Sequence, residues 1–493
     1  MLRLVHVLFG VQPKATRQMP YLPTQWQEVS FSEAVTDSRE VVADALFVAL
    51  SGERTDGHNY LTDVAARGAR GALVKREEVE CRRADLAHLV RHWVLLDPAE
   101  AQDIEAQPLD SFLLITVDDP LMALQRLAVY HRRQLTLPVV AITGSVGKTS
   151  TKEVVAAVLR QRFRTLKNKR SFNSEATLPI TMLQLNHDYE VAVLEMGMWA
   201  TGEIRFLANL ARPTIGIVTN VGPSHCERLG SIEAIARAKS ELIESLPANG
   251  VAILNADDPY VAAMANLTKA RIVRYGLSAT ADVWADEIES FGLNGIAFRV
   301  HYGTESCSVR VPMIGRHSVA IALPAIAVGL VMGMAMEAIL AGLHDPAARL
   351  RLMVVPAVHG AILIDDTYNA APLSVLAALE LLGELPGRPI AVLGDMLELG
   401  VFEEAAHRQV GQRVATVAQL LVCVGRRARW IAETARAAGM AAAQVLVFDE
   451  NHAAALALRQ LLQAGDYVLI KGSRGMAMEQ LVAALQHTRE EEG

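Results

Sequence analysis

The stretch "VVAITGSVGKTSTKE", residues 139–153, decides how this chain is read. An apolar run, "PVVAI", leads into two glycines, a lysine and hydroxyl residues, and then into a segment of helical character. That is the layout of a phosphate-binding loop after a buried strand. Glycines let backbone N–H groups converge on phosphate oxygens, and the start of the following helix adds its dipole. Gly144, Ser145, Val146 and Gly147 make the loop, Lys148 brings a positive charge, and Thr149 and Ser150 bring hydroxyls. Thr149 is the one suited to Mg2+. The spacing is unusual, however. In G-x-x-x-x-G-K-[ST] the first glycine stands five places before the second, and five places before Gly147 is Ile142.

Outward from the loop, buried strand-like runs alternate with helix-length segments: "VAVLEMG", "TIGIVTNVG", "GVAILNADD" and "RIVRYG". Strands alternating with helices predict parallel β-α-β units, hence an α/β nucleotide-binding domain over 136–345. A second alternating block, "GAILIDD", "PIAVLGDM", "LLVCVG", "AQVLVFD" and "DYVLIKG", predicts a smaller Rossmann-like domain over 346–493, its functional loops at strand C-termini. Residues 1–135 form a first α/β domain with short strands such as "ALFVAL", and the charged segment 77–112 is expected to be a surface insertion in it. Three domains also suit 493 residues at roughly 150 residues per domain.

Composition excludes several classes. With 51% hydrophobic and 20% charged residues the chain has ample core material, which argues against disorder. A net charge of −7 gives no reason to expect nucleic acid. Cys81, Cys226, Cys307 and Cys423 are scattered with no C-x-x-C pair, which suits a reducing compartment and a cytoplasmic protein. The opening "MLRLVHVLFGVQPKATRQMP" lacks the pattern of a signal peptide. One run, "VAIALPAIAVGLVMGMAM" at 319–336, carries no charge and stands at the length threshold of a spanning helix. Its Ala, Gly and Met content and internal proline favour a buried core helix instead, with Ser318 as N-cap and no membrane insertion.

Further residues extend the phosphate loop. Glu195 ends "VAVLEMG", His225 lies in "TNVGPSHCERLGS", and Lys239 lies on a helix in "SIEAIARAKSELI". Together with "TGSVGKT" these segments resemble the Mur ligase family, whose loop reads T-G-S-x-G-K-[ST] and which makes amide bonds with ATP in bacterial cell-wall synthesis. The resemblance accounts for the odd glycine spacing. It implies ATP as cosubstrate and Mg2+ ions, two in number, held by Thr149, Glu195, His225 and a carbamylated Lys239. Catalytic roles then fall to Lys148, Glu195, His225 and Lys239. "LNADDPYV" brings Asn255 and Asp258 to the adenine region, and "GRHSVAIAL" brings His317, although Ser318 and Ile321 replace two family asparagines. The family's arginine between the second and third domains is Arg349 or Arg351. "KRSFNSEATLPITML" implies substrate contacts from Asn173 and Ser174, with Thr177 where the family has glycine.

Within the family, "LIDDTYNAAP" (363–372) looks like the segment of the member that adds D-alanyl-D-alanine, and so do "AVLGDMLELG" and "VLIKGSRGMAMEQLV". By that likeness Asp366 serves ATP, while Tyr368, Asn369, Asp395 and Lys471 serve the substrate. "TDSREVVADALFVALSGERTDGHNYL" resembles the family's UDP-sugar domain and implies Ser38, Arg39, Gly57 and His58 near UDP-MurNAc-tripeptide. A monomer is expected. Two alternatives stay open: a family ligase adding a different amino acid, such as the diamino acid at position three, and a phosphate-loop ATPase without ligase activity.

Overall fold

The computed structural model describes residues 2–15, 17–52, 55–82, 93–98, 104, 107–224, 226–346 and 352–486. Two compact units divide the chain, one of Met1–Val140, Arg164–Gly197 and Arg205–Pro213, the other of Ala141–Phe163, Met198–Ile204 and Thr214–Gly493. The division falls inside the strand Val139–Thr143, whose residues are all buried.

The first unit contains a five-stranded parallel sheet in the order Ala34–Val35, Leu46–Val48, Gly71–Lys75, Phe112–Val117, Trp93–Leu96. Phe47, Ala72, Val74, Phe112 and Leu114 build a core on one face with Leu61 and Val64 of the helix Leu61–Ala66. The expectation of an irregular insertion at 77–112 is corrected here. Trp93–Leu96 is a strand of the sheet, in parallel register with Phe112–Ile115, and the helix Arg76–Cys81 precedes it. Val94 and Leu96 are buried and Leu95 is exposed, the alternation of strand faces, while the sequence there is a short apolar run that the surrounding charges disguised. The rest of that segment, 83–92, 99–103, 105 and 106, lies outside the described residues. Asp119 accepts hydrogen bonds from the N–H groups of Leu121 and Met122, and with Pro120 opens the helix Pro120–Arg132. Val191–Glu195 pairs in parallel with Thr165–Lys167.

In the second unit the strands Ile215–Val218, Val251–Asn255 and Arg271–Gly276 run parallel and adjacent, as the alternation predicted. Val283–Ser290, Ile296–Tyr302 and Glu305–Val311 extend that sheet, the last two pairings antiparallel. The helix Lys148–Arg160 follows the phosphate loop. The uncharged run 319–336 forms the helix Val319–Val331, turns at Gly333 (φ 68°) and ends where the next helix, Met336–Leu343, begins. Gly342 lies so close to the Lys148 helix that a Cβ there would come within 2.3 Å of Val158 Cα. Among the described residues no helix is long and apolar enough to cross a membrane. Ser318 precedes the first of these helices as expected but does not cap it. Its own backbone is helical and its hydroxyl donates backwards to Ile314 O at 2.7 Å.

The same unit carries a six-stranded sheet in the order Met353–Pro356, Ile362–Asp365, Asp466–Lys471, Arg388–Gly394, Leu420–Val424, Val445–Phe448. All pairings are parallel except that of Met353–Pro356. Burial on both faces explains its near-continuous apolar strands. Leu393, Leu421, Cys423 and Leu469 pack on helices Pro372–Glu384, Glu403–Ala415 and Ala428–Ala437, while Val392, Val422, Val468 and Ile470 pack on Asn451–Leu461 and Glu479–Leu485. The chain therefore leaves Ile362–Asp365 and Arg388–Gly394 towards one face and the intervening Asp466–Lys471 towards the other. A crevice opens at the C-terminal ends of neighbouring strands whose connections diverge in this way.

Candidate active site

The phosphate loop is shaped by two glycines and by a latch from another strand. Gly144 has φ 147° and Gly147 φ 86°, backbone that side chains rarely adopt. A Cβ on Gly144 would also lie 1.9 Å from Thr219 Oγ1. Asn220, just past Ile215–Val218, grips the loop from both sides. Its carbonyl accepts from Ser145 N, its Oδ1 accepts from Val146 N, and its Nδ2 donates to Val146 O, all at 2.9 Å. Thr219 Oγ1 donates to Val146 O at 2.7 Å, and Gly222 N donates to Ser145 Oγ at 2.9 Å. Lys148 opens the helix, its Nζ held over the loop by Gly144 O at 2.7 Å and Ser145 O at 3.2 Å. Thr149 and Ser150 follow it in the first turn, half-buried. Thr143 Oγ1 and Ser224 Oγ are buried here without a hydrogen-bond partner among the described residues. A bound phosphate or its water shell corrects such an imbalance.

Asn255 and Asp258 support the latch. Asn255 Nδ2 donates to Thr219 O at 2.8 Å, while Asp258 Oδ2 accepts from Val221 N at 2.7 Å and its Oδ1 caps the helix Pro259–Ala263. The contribution of Thr219 and Asn220 escaped the sequence reading, because a Thr-Asn pair after an apolar strand carries no mark of its partner 74 residues away.

Lys239 lies on the helix Ile232–Glu244 and is 1% exposed. Ile235, Ala238, Leu242 and Ile243 are buried on the same helix, so the lysine sits on its apolar face, where a lone lysine read from sequence is more often solvated. Burial, and secondarily the charge of Lys148, pushes its amine well below the usual lysine range. In the first unit Glu195 ends its strand 2% exposed. Asn168 brackets its backbone through Oδ1 from Glu195 N at 2.9 Å and Nδ2 to Glu195 O at 3.0 Å, and Asn173 Nδ2 donates to Glu195 Oε1 at 2.8 Å. Ser174 Oγ pairs with Thr177 Oγ1 at 3.0 Å. Thr177 itself has φ −103°, ordinary helical backbone, so no glycine is required there.

Hard oxygen donors, the Thr149 hydroxyl and the Glu195 carboxylate, are the kind Mg2+ takes. Among the described residues no three His, Cys, Asp or Glu side chains form a ready metal cage. The set implied by resemblance has only one such side chain in the described residues, since His225 lies outside them, as do Arg349 and Arg351.

At the crevice of the six-stranded sheet, Lys471 is 2% exposed. Its Nζ donates to Asp366 Oδ2 at 2.5 Å and to Asn369 O at 3.0 Å, pinning the 365–371 loop. Asp365 Oδ1 accepts from Thr367 N and Oγ1, and Ser473 Oγ links Leu397 N to Ala370 O. Tyr368 is 39% exposed beneath the Arg474 guanidinium, whose Cζ lies 5.7 Å from the ring centre. Asp395 is buried, its Oδ1 accepting from Ala428 N at 2.7 Å at the start of a helix. His317 is kept below its usual pKa by burial, against the pull of Asp366 and with the help of Lys471. Leu373 of the following helix reaches the phosphate-loop latch, 3.3 Å from where a Cβ of Gly222 would stand.

Of the expected sugar-nucleotide residues, Ser38 and Arg39 form a short 3-10 turn capped by Asp37. Arg39 chelates Asp37 at 2.9 and 2.6 Å, and these bonds hold the Asp37 carboxyl at about 2. His58 is 3% exposed with both ring nitrogens engaged: Nε2 accepts from Lys75 N at 2.9 Å and Nδ1 faces Asp56 Oδ1 at 2.6 Å. Gly57 packs against Leu50, where a Cβ would meet backbone at 2.8 Å.

Fold and site together define a nucleotide-binding α/β protein with a phosphate loop and a Rossmann-like sheet. Three family models match the chain: the catalytic domain of the Mur ligase family over 32–132, the Mur ligase middle domain over 142–329, and the Mur ligase glutamate ligase domain over 350–474. The UDP-N-acetylmuramoyl-tripeptide--D-alanyl-D-alanine ligase of Escherichia coli (strain K12) is 34% identical over 467 residues, covering 94% of this chain and 95% of the relative. Among solved structures, MurF from Acinetobacter baumannii superposes with a TM-score of 0.79 at 29% identity, covering 98% of both chains. The MurF ligase from Thermotoga maritima, in complex with ADP, shares the fold with a TM-score of 0.73 at 23% identity, covering 96% of this chain and 100% of that one. The chain belongs to the Mur ligase family.

Proposed function

We propose that the protein is a cytoplasmic, ATP-dependent ligase that joins D-alanyl-D-alanine to UDP-N-acetylmuramoyl-tripeptide, the last cytoplasmic step in making the peptidoglycan precursor. The observation that carries this reading is the 365–371 loop, which bears Asp366, Tyr368 and Asn369 and is pinned by Lys471 in the same unit as the phosphate loop. The likeness to ligases of that name over 94% of the chain supports it, and the four free cysteines suit the cytoplasm.

A carboxylate does not react with an amine, because oxide is too poor a leaving group. Transfer of the γ-phosphoryl group of ATP to the tripeptide carboxylate gives an acyl phosphate, from which the dipeptide nitrogen displaces phosphate. Backbone N–H groups of 144–149 and the helix start hold the phosphates, and Lys148 neutralises charge as the group moves. Thr149, Glu195, His225 and a carbamylated Lys239 are the residues to hold Mg2+, which supplies further positive charge when bound. Burial favours the neutral Lys239 amine, the form with the lone pair that attacks CO2. Asn255, Asp258, His317, Asp366 and one of Arg349 and Arg351 serve the nucleotide. Tyr368 and Asn369 serve the dipeptide, on a loop that Lys471 pins, with Asp395 fixing the neighbouring loop. Ser38, Arg39, Asn173 and Ser174 serve the sugar-nucleotide peptide, with Gly57 and His58 shaping the turn beside them.

The test is ADP release by the purified protein with each substrate alone and with both. Release that requires UDP-MurNAc-tripeptide and D-Ala-D-Ala together, with formation of the pentapeptide, is the expected result. Release indifferent to the dipeptide sinks the reading.

A further inference from the structure

The dipeptide of the proposed reaction is a zwitterion: its amine must stay free to attack, so its terminal carboxylate is the group left for the protein to grip. The crevice offers several cations, and the structure separates them. Lys471 is buried and committed to Asp366 and Asn369. Arg427 is held by Glu403 at 2.5 Å and faces Asp395 at 3.8 Å. Arg429 pairs with Asp449 at 2.8 Å.

Arg474 differs. Its backbone N–H leans on Asn369 Oδ1 at 3.4 Å, which ties its position to the 365–371 loop. Its guanidinium carbon lies over the Tyr368 ring, a cation–π contact that favours this position without using its N–H donors. The side chain remains 68% exposed, and its contact with Glu479 is long, 3.7 Å between partners both open to solvent. Exposed pairs of that kind contribute little, so an incoming carboxylate displaces Glu479 easily. An exposed guanidinium matches a carboxylate bidentately, which a lysine does not.

We propose that Arg474 binds the C-terminal carboxylate of the acceptor dipeptide and so makes the enzyme select an acid rather than a neutral acceptor. This rests on the ligase reading above, which names the dipeptide. Arg426 is the competing cation, exposed at the end of the neighbouring strand Leu420–Val424.

The experiment measures ligation of D-Ala-D-Ala and of D-alanyl-D-alaninamide by the wild type and by Arg474→Gln, Arg474→Lys and Arg426→Gln. The wild type is expected to prefer the acid by roughly tenfold to a hundredfold in kcat/KM, the range of a hydrogen-bonded charge. Arg474→Gln brings the ratio to about one through a higher KM for the acid, leaving kcat/KM for the amide and KM for ATP unchanged. The second constancy shows that the variant is folded. Arg474→Lys recovers part of the preference, and Arg426→Gln keeps all of it. A wild-type ratio in Arg474→Gln, or its collapse in Arg426→Gln, overturns the assignment while the ligase reading stands. Failure of the wild type to ligate either acceptor overturns both.

Discussion

Gly144 is the residue at which backbone geometry and function meet most tightly. Its φ of 147° and the 1.9 Å approach of a Cβ to Thr219 Oγ1 leave no room for a side chain. Gly144→Ala is expected to destabilise the fold by about 1–3 kcal/mol through strain and to abolish ADP binding, measured by melting and by titration. Wild-type ADP affinity in that variant would show that the loop can take another shape. Lys239 poses the opposite problem, a cationic group where the helix wants an apolar one. As a carbamate it becomes an anion, and its burial beside Lys148 turns from repulsive to attractive. Lys239→Ala should lower ligation by more than about a hundredfold, an effect of the size seen when an electrostatic stabiliser is removed. Added short carboxylic acids should restore part of it. Unaltered activity in the variant removes the carbamate from the scheme.

At the scale of elements, two devices set loops at strand ends. Asn220 holds the phosphate loop through Val146, giving an acceptor to its N–H and a donor to its carbonyl. Asn220→Ala leaves the half-buried Val146 N–H without its acceptor, while Val146 O keeps the Thr219 hydroxyl, so a stability loss of about 1 kcal/mol is expected. A weaker affinity for ADP, read by calorimetry, should accompany it. An unchanged affinity would mean that the latch is dispensable to the loop's shape. The second device is His407 on the helix Glu403–Ala415. Its Nε2 accepts from Met396 N at 3.0 Å and its Nδ1 donates to Glu403 O at 2.6 Å, an arrangement only the neutral ring can make. Burial lowers its pKa below 6.5 despite Asp395 and Glu403, with Arg427 assisting.

The unfolded chain therefore takes up a proton near 6.5 that the folded chain refuses. The stability from His407 is complete above that pH and is lost as the pH falls below it. Urea denaturation at about pH 7.5 and 5.5 should show this loss, and His407→Gln should reduce it. Part remains, because burial also lowers His131 and His317. An equal loss in wild type and variant would rule His407 out as its source.

For the whole molecule, the phosphate loop, the 219–222 latch and the 365–371 loop of the second unit all lie at the C-terminal ends of strands, where the proposed reaction places its substrates. Nucleotide binding should therefore stabilise that unit by mass action. ADP at a hundred times its Kd should add about 2.7 kcal/mol to its unfolding free energy, seen as a higher melting temperature. Absence of a shift at saturating ADP would contradict the nucleotide site.

What the chain's own letters determined is local in origin. Continuous apolar runs spaced by helices announced parallel sheets, and "TGSVGKT" and "DDTYNAAP" announced their loops, because strand burial, turn chemistry and loop glycines act over a few residues. The antiparallel strands of 283–311 pair with their sequence neighbours and lay within local reach, although the strand-helix alternation did not mark them. The same locality hid the strand Trp93–Leu96 among charges. It also hid the latch of Asn220 on Val146, the burial of Lys239, the closure of both His58 nitrogens and the standing of Arg474 over Tyr368. Each of these depends on which distant segment comes to lie opposite, and only the folded chain decides that: a side chain is buried, paired or left open by neighbours that sequence distance does not reveal.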